Sequence, residues 1–266
     1  MAHGPWRRFP GFLDGRLRYT PEIKRLRRDN IDFVSGMNPV EIFFQLIAFL
    51  FAISVHESAH AWTANKCGDP TARMLGRVTL NPIKHIDLVG TVILPLLALI
   101  SHFPMIGWAK PTPVNPANFK NEVRDDILTS VAGPVSNLIV ASLAVMGLAT
   151  ISLTSPDGRE IVQAMAMTYG RAVGMLSGTP SVLLPIAGML YWFMFLNVLL
   201  AAFNLIPIPP LDGSHVLRHF LPESARRVYD TLGMFALIAL FLFGGPVIGM
   251  FISPFLNFFT YILMRI

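Results

Sequence analysis

Apolar positions run in long blocks along this chain instead of alternating with polar ones. Four stretches contain no Asp, Glu, Lys or Arg: 88–109, 127–153, 172–211 and 231–264. A fifth apolar run, 42–55, precedes them. A helix needs about 20 mostly apolar residues to cross a bilayer. A soluble bundle would show charged outer faces on such helices, and these runs have none. The blocks predict an all-α polytopic membrane protein. We expect about five to six transmembrane helices, joined by short membrane-associated extended or strand segments.

Breaks in the pattern place the elements. Asn38-Pro39 opens the first long helix, with Asn38 as its N-cap and Pro39 at the first helical position. It runs to about Lys66, where Cys67-Gly68-Asp69-Pro70 stops it. Polar and apolar residues alternate from Arg77 to Asn81, which predicts a strand or an extended loop. The apolar run 88–101 is short and holds Gly90 and Pro95, so a short or broken helix is expected there. Pro111, Pro113 and Pro116 exclude a helix over 107–116. At membrane depth, extended backbone is tolerated only against protein or a water-filled cavity, which places this stretch beside a functional groove, with an ordinary proline-rich surface loop as the alternative. Long helices follow over about 125–153 and 183–205, with a surface amphipathic helix expected within 154–181. A short helix restarts near Ser214, after the proline-rich run 207–210. The last run, 231–264, is broken at Gly244-Gly245-Pro246, as one kinked helix or a hairpin of two. Three regions result: a basic interfacial segment 1–37, a core 38–221, and a C-terminal helix or hairpin 222–266.

Composition agrees with this reading. Hydrophobic residues make up 53% of the 266-residue chain and charged residues 14%, where soluble proteins carry roughly a quarter charged. The net charge of +5 is concentrated at the start, with Arg7, Arg8, Arg16, Arg18, Lys24, Arg25, Arg27 and Arg28. That cluster suits anionic lipid head groups, and no nucleic-acid-binding fold accompanies it. No compact apolar region follows it before position 38, which disfavours a cleaved signal peptide. A single cysteine, Cys67, excludes an intramolecular disulfide.

The first helix carries His56-Glu57-Ser58-Ala59-His60. On a helix the two histidines share a face and can hold zinc together, with Glu57 between them as general base on a zinc-bound water. A catalytic zinc takes three protein ligands. Asp212 is the expected third, because its carboxylate follows a proline-broken helix end and is costly in a membrane without a partner. His215 and His219 compete with it, lying with Asp212 on one helix face. They are also candidates to donate to a ligand, or simply to face solvent. His85 and His102 have no supporting spacing and are expected at the interface. Asn204 and Asn137 are candidate oxyanion donors, with helix–helix hydrogen bonding as the alternative for each.

Together these residues resemble the site-2 proteases, the intramembrane zinc metalloproteases. The signatures that match are His56-Glu57-Ser58-Ala59-His60, then Asn204 to Gly213 with Pro207, Leu211 and Asp212 in place, and Asn137 within Gly133-Pro134-Val135-Ser136-Asn137. The similarity covers roughly residues 39–221 and looks closest to compact prokaryotic-type members without PDZ or CBS domains. It implies that His56, His60 and Asp212 bind Zn2+, that Glu57 is the base, and that Asn204 positions substrate or stabilises the oxyanion. It further implies a transmembrane protein substrate, cleaved after partial unwinding, and a multi-pass location in a prokaryotic plasma membrane among its lipids. The stretch 108–116 resembles a family element that pairs with an extended substrate. A zinc site near the cytosolic face puts residues 67–86 inside the cell, whereas the basic residues 1–28 favour the inside for the N-terminus. Two other classes compete: a non-catalytic zinc-binding membrane protein or metal transporter, and a membrane-anchored zinc peptidase acting on soluble peptides. Homo-oligomerisation is left open.

Overall fold

The structure, a computed structural model, describes residues 39–94, 97, 107–168, 170, 181–243 and 245–266. The basic segment 1–37, the Asn38 cap, most of 95–106 with His102, the stretch 171–180 and Gly244 lie outside the described residues. Every regular element among the described residues is helical. Of the strand or extended loop expected over 77–81, the structure shows a loop with bends at Val78 and Thr79. There the backbone turns back on itself, with Arg77 N donating to Ala72 O and Thr79 N to Arg77 O.

Among the described residues eight α-helices follow in order: α1 Pro39–Cys67, α2 Thr71–Met74, α3 Glu122–Thr154, α4 Pro156–Met167, α5 Leu183–Asn204, α6 Asp212–Phe220, α7 Glu223–Phe243 and α8 Gly245–Arg265. Four of them, α1, α3, α5 and α8, are long and apolar enough to cross a membrane. α7 has the length, but Glu223, Arg226, Arg227 and Asp230 crowd its first third. The run 231–264 therefore divides into α7 and α8. The amphipathic helix expected after position 154 is α4, whose Ile161, Val162 and Met165 face the core. Each start has a local cause. Asn121 accepts from Arg124 N at the head of α3 while its own N–H goes to Asp125 Oδ2, and Ser155 accepts from Gly158 N at the head of α4.

α1, α3 and α5 pack on one another, α4 folds back on α3 and α5, and α8 closes the far side of α5. Leu148, Val162, Met165, Tyr191, Met194, Val198 and Leu263 form the centre. Large apolar side chains such as Phe43, Trp62, Ile139, Leu143, Phe235 and Phe258 point outward. In lipid those faces need no protein cover, and helix association depends on close packing and interhelical hydrogen bonds. This is an all-α polytopic membrane fold.

Between α1 and α3 the chain returns along α1 as an irregular segment. Alternate amides donate inward: Trp108 N to Gly90 O at 3.2 Å, Lys110 N to His85 O at 2.8 Å, and Thr112 N to Glu57 Oε2 at 2.8 Å. Alternation with period two is the signature of extended backbone. Two buried side chains fasten it. Arg77 donates to Pro111 O at 3.0 Å and to Lys84 O. Asp69 accepts from Asn115 N at 2.7 Å, Asn118 Nδ2 at 2.8 Å and the hydroxyl of Thr71. His85 is fully buried; its Nε2 donates to Thr79 O at 2.8 Å, beside Ser58 of α1.

Candidate metal centre

His56 and His60 lie on the face of α1 that meets α3, 4% and 8% exposed. Their partners settle which nitrogen each ring presents. Asn137 Nδ2 donates to Ala52 O at 3.1 Å and to Asn197 Oδ1 at 2.7 Å, so its Oδ1 faces His56 Nδ1 at 2.6 Å and must accept from it. His60 Nδ1 lies 2.7 Å from Thr129 O, which can only accept. In neutral imidazoles both protons therefore sit on Nδ1, and both Nε2 atoms carry bare lone pairs.

Those two Nε2 atoms are 3.0 Å apart. Asp212, first residue of α6, brings Oδ2 to 3.1 Å from His56 Nε2 and Oδ1 to 3.4 Å from His60 Nε2. Its Oδ2 is buried and has no hydrogen-bond partner. Three electron-pair donors crowd one point with no proton assigned between them, an arrangement that a cation relieves. Donors on a tetrahedral zinc, at about 2.0–2.1 Å from the ion, stand about 3.3 Å from each other. The observed spacings fit, and no other group of three such side chains among the described residues converges this closely.

Small residues shape the surroundings. A Cβ on Gly133 would fall 2.4 Å from His60 Nε2 and 2.6 Å from His56 Cε1. Gly133 thus makes room for the two imidazoles. A Cβ on Gly213 would fall 2.4 Å from Leu205 O, so only glycine lets α6 start directly beneath the end of α5. The carboxylate of Glu57 is held from the other side by the amide of Thr112, whose hydroxyl donates to Glu57 O at 3.1 Å.

The other candidates divide. Asn137 is fully buried behind His56, so it orients a histidine and cannot reach a substrate carbonyl. Both of its amide hydrogens go to neighbouring helices, to Ala52 O and Asn197 Oδ1, which is the helix–helix bonding named as its alternative role. Asn204 ends α5, its Nδ2 donating to Leu200 O at 2.9 Å. His215 and His219 turn away from the centre to Asp126 on α3, at 3.4 and 2.8 Å. Asn197, Thr129 and Thr112 are contributors that residue type alone did not mark. For Thr112 the one available signal was the proline run around it.

The chain matches peptidase family M50 over residues 44–244, most of its length. It is 35% identical over 215 residues to "Putative zinc metalloprotease YwhC" of Bacillus subtilis, a match covering 80% of this chain and 86% of the relative. It is 27% identical over 197 residues to "Putative zinc metalloprotease Rip2" of Mycolicibacterium smegmatis, covering 73% and 64% respectively. No solved structure matches significantly. With the converging histidines and aspartate on one side and these relatives on the other, the chain belongs to peptidase family M50, the site-2 protease family, and is a zinc metalloprotease.

Proposed function

We propose that this protease cuts its protein substrates within or next to their transmembrane segments, in the plasma membrane of a prokaryote. The observation that carries the reading is the position of the centre. His56, Glu57 and His60 belong to a helix long and apolar enough to span the bilayer. His60 stands seven residues before the end of that helix at Cys67, about 10 Å along its axis. The donors thus lie below one end of the span, walled by α3 and α6.

In this reading His56, His60 and Asp212 hold the zinc. When bound, zinc supplies the Lewis acid that acidifies a water and polarises the scissile carbonyl. Glu57 takes a proton from the attacking water and returns it to the amine of the leaving segment. Thr112 N–H on Oε2 fixes the carboxylate rotamer, which leaves Oε1 to receive that proton. Asn137 and Thr129 O keep the imidazoles turned so that Nε2 faces inward. An amide nitrogen carries two hydrogens; Asn204 gives one to Leu200 O, and the second serves the substrate carbonyl. The family assignment leaves the transporter reading without support.

The test uses purified protein in proteoliposomes with a single-span substrate and with the same segment as a soluble peptide. Glu57→Gln should abolish cleavage while zinc stays bound. Equal rates on the embedded segment and the free peptide would sink the intramembrane reading.

A further inference from the structure

His215 and His219 do not reach the metal centre, yet both meet the same carboxylate oxygen of Asp126. His219 Nε2 is 2.8 Å from Asp126 Oδ2 and His215 Nδ1 is 3.4 Å from it. The side chains of Asp126 and His219 are 14% and 9% exposed, so this is an enclosed contact and not a surface pair. Asp126 also falls in a particular series on α3. Asp126, Thr129, Gly133 and Asn137 are spaced by three, four and four residues and share one helix face. Thr129 O orients His60, Gly133 makes room for both rings, and Asn137 orients His56. The first member of the stripe has no histidine of α1 to serve; it reaches α6 instead.

α6 is the element that carries Asp212, and it is short. It spans nine residues and its start has no side-chain cap, Leu211 being the residue at that position. At 100° per residue, His219 lies seven residues and about 20° of azimuth from Asp212, almost directly in line two turns further on. Fixing the azimuth of His219 therefore fixes that of Asp212. Zinc ligands tolerate errors of only about 0.2 Å, so a nine-residue helix free to roll would lose the third ligand long before it unfolded.

We propose that Asp126 is a positioning residue for the zinc site: by holding His219, with His215 alongside, it locks the roll of α6 and aims the Asp212 carboxylate at the two imidazoles. This rests on the reading of Asp212 as third ligand. The α3 stripe then sets all three ligands from one rigid surface, two through α1 and one through α6.

The experiment measures zinc affinity of the purified full-length protein by competition with a chelating dye, alongside cleavage of a membrane substrate across a zinc titration. Asp126→Ala should weaken zinc binding by about 10–100-fold, and saturating zinc should restore cleavage. Asp126→Asn keeps an acceptor for His219 Nε2–H and should recover most of the affinity. Should Asp126→Ala not fold, His219→Ala carries the same expectation. Wild-type affinity in these variants overturns the proposal, as does a loss of cleavage that saturating zinc does not reverse. Asp212→Ala separates the two readings. Undiminished zinc affinity there overturns the ligand assignment itself, whereas zinc loss there with wild-type affinity in Asp126→Ala and His219→Ala overturns the roll lock alone.

Discussion

Gly133 shows how little space separates a working centre from a blocked one. One methyl group at that position would overlap both imidazoles, at 2.4–2.7 Å from their ring atoms. The rings cannot yield, since each Nδ1 is fixed at 2.6 or 2.7 Å by a partner on α3. Gly133→Ala should therefore cut zinc affinity and cleavage at least about tenfold, as loss of ligand orientation does. It should leave helical content intact, since alanine favours a helix over glycine by about 1 kcal/mol. Zinc content and circular dichroism on the same preparation check this. The convergence of His56 and His60 was legible in the sequence because helical spacing alone puts the two rings on one face. Asn137 was legible as a polar group needing a partner, but not as the partner of His56. That contact spans 81 positions and depends on how two apolar helices meet, which a run of apolar residues does not encode.

At the scale of elements, the apolar blocks made α1, α3 and α5 legible, down to their ends within a few residues. They said less about the return segment, which is organised by individual polar side chains. Asp69 is the clearest case. Burial opposes its ionisation, but hydrogen bonds from Asn118, Thr71 and the amides of Asn115 and Thr71 outweigh it and hold the carboxyl below its ordinary value. A depressed pKa contributes stability that is present above the ordinary carboxylate value, roughly 4, and is lost as pH falls through the folded value. Asp69→Asn should destabilise the protein by about 1–3 kcal/mol at neutral pH. The gap from wild type should close on acidification below roughly pH 4. Thermal melts of both proteins in detergent across pH 3–7 measure it; a gap that stays constant with pH excludes the charge as its origin. Of the strand or extended loop expected over 77–81, the loop is found, for a related reason. Alternation describes a half-buried strand only when a neighbouring strand exists to pair with it, and here the guanidinium of Arg77 fastens the segment instead.

For the whole molecule, zinc held by the proposed ligands would cross-link α1 to α6, elements that lie about 150 positions apart in the chain and otherwise meet through α3. A ligand that binds only the folded state stabilises it by about 4 kcal/mol when present at a thousand times its dissociation constant. Removing zinc with a chelator should lower the melting temperature by several degrees, and α6 should gain hydrogen exchange before the α1–α3–α5 centre does. Restoring zinc should reverse both. Exchange that rises first in α5 would show that the packing of the bundle, and not the metal, holds α6 in place. That overall arrangement, with the ligands assembled around α3, was only partly legible: the order of the signatures gave which helices take part, while the common surface that aligns them appears only once α3 is in register.

The distance along the chain between the ligands also bears on biogenesis. His56 and His60 emerge early from the ribosome, and Thr129 and Asn137 can orient them once α3 is inserted. Asp212 follows only when about four-fifths of the chain has been made. On the proposed ligand set, the nascent protein until then lacks its third zinc donor. On the same ligand set, a product truncated before α6 should bind zinc weakly and fail to cut.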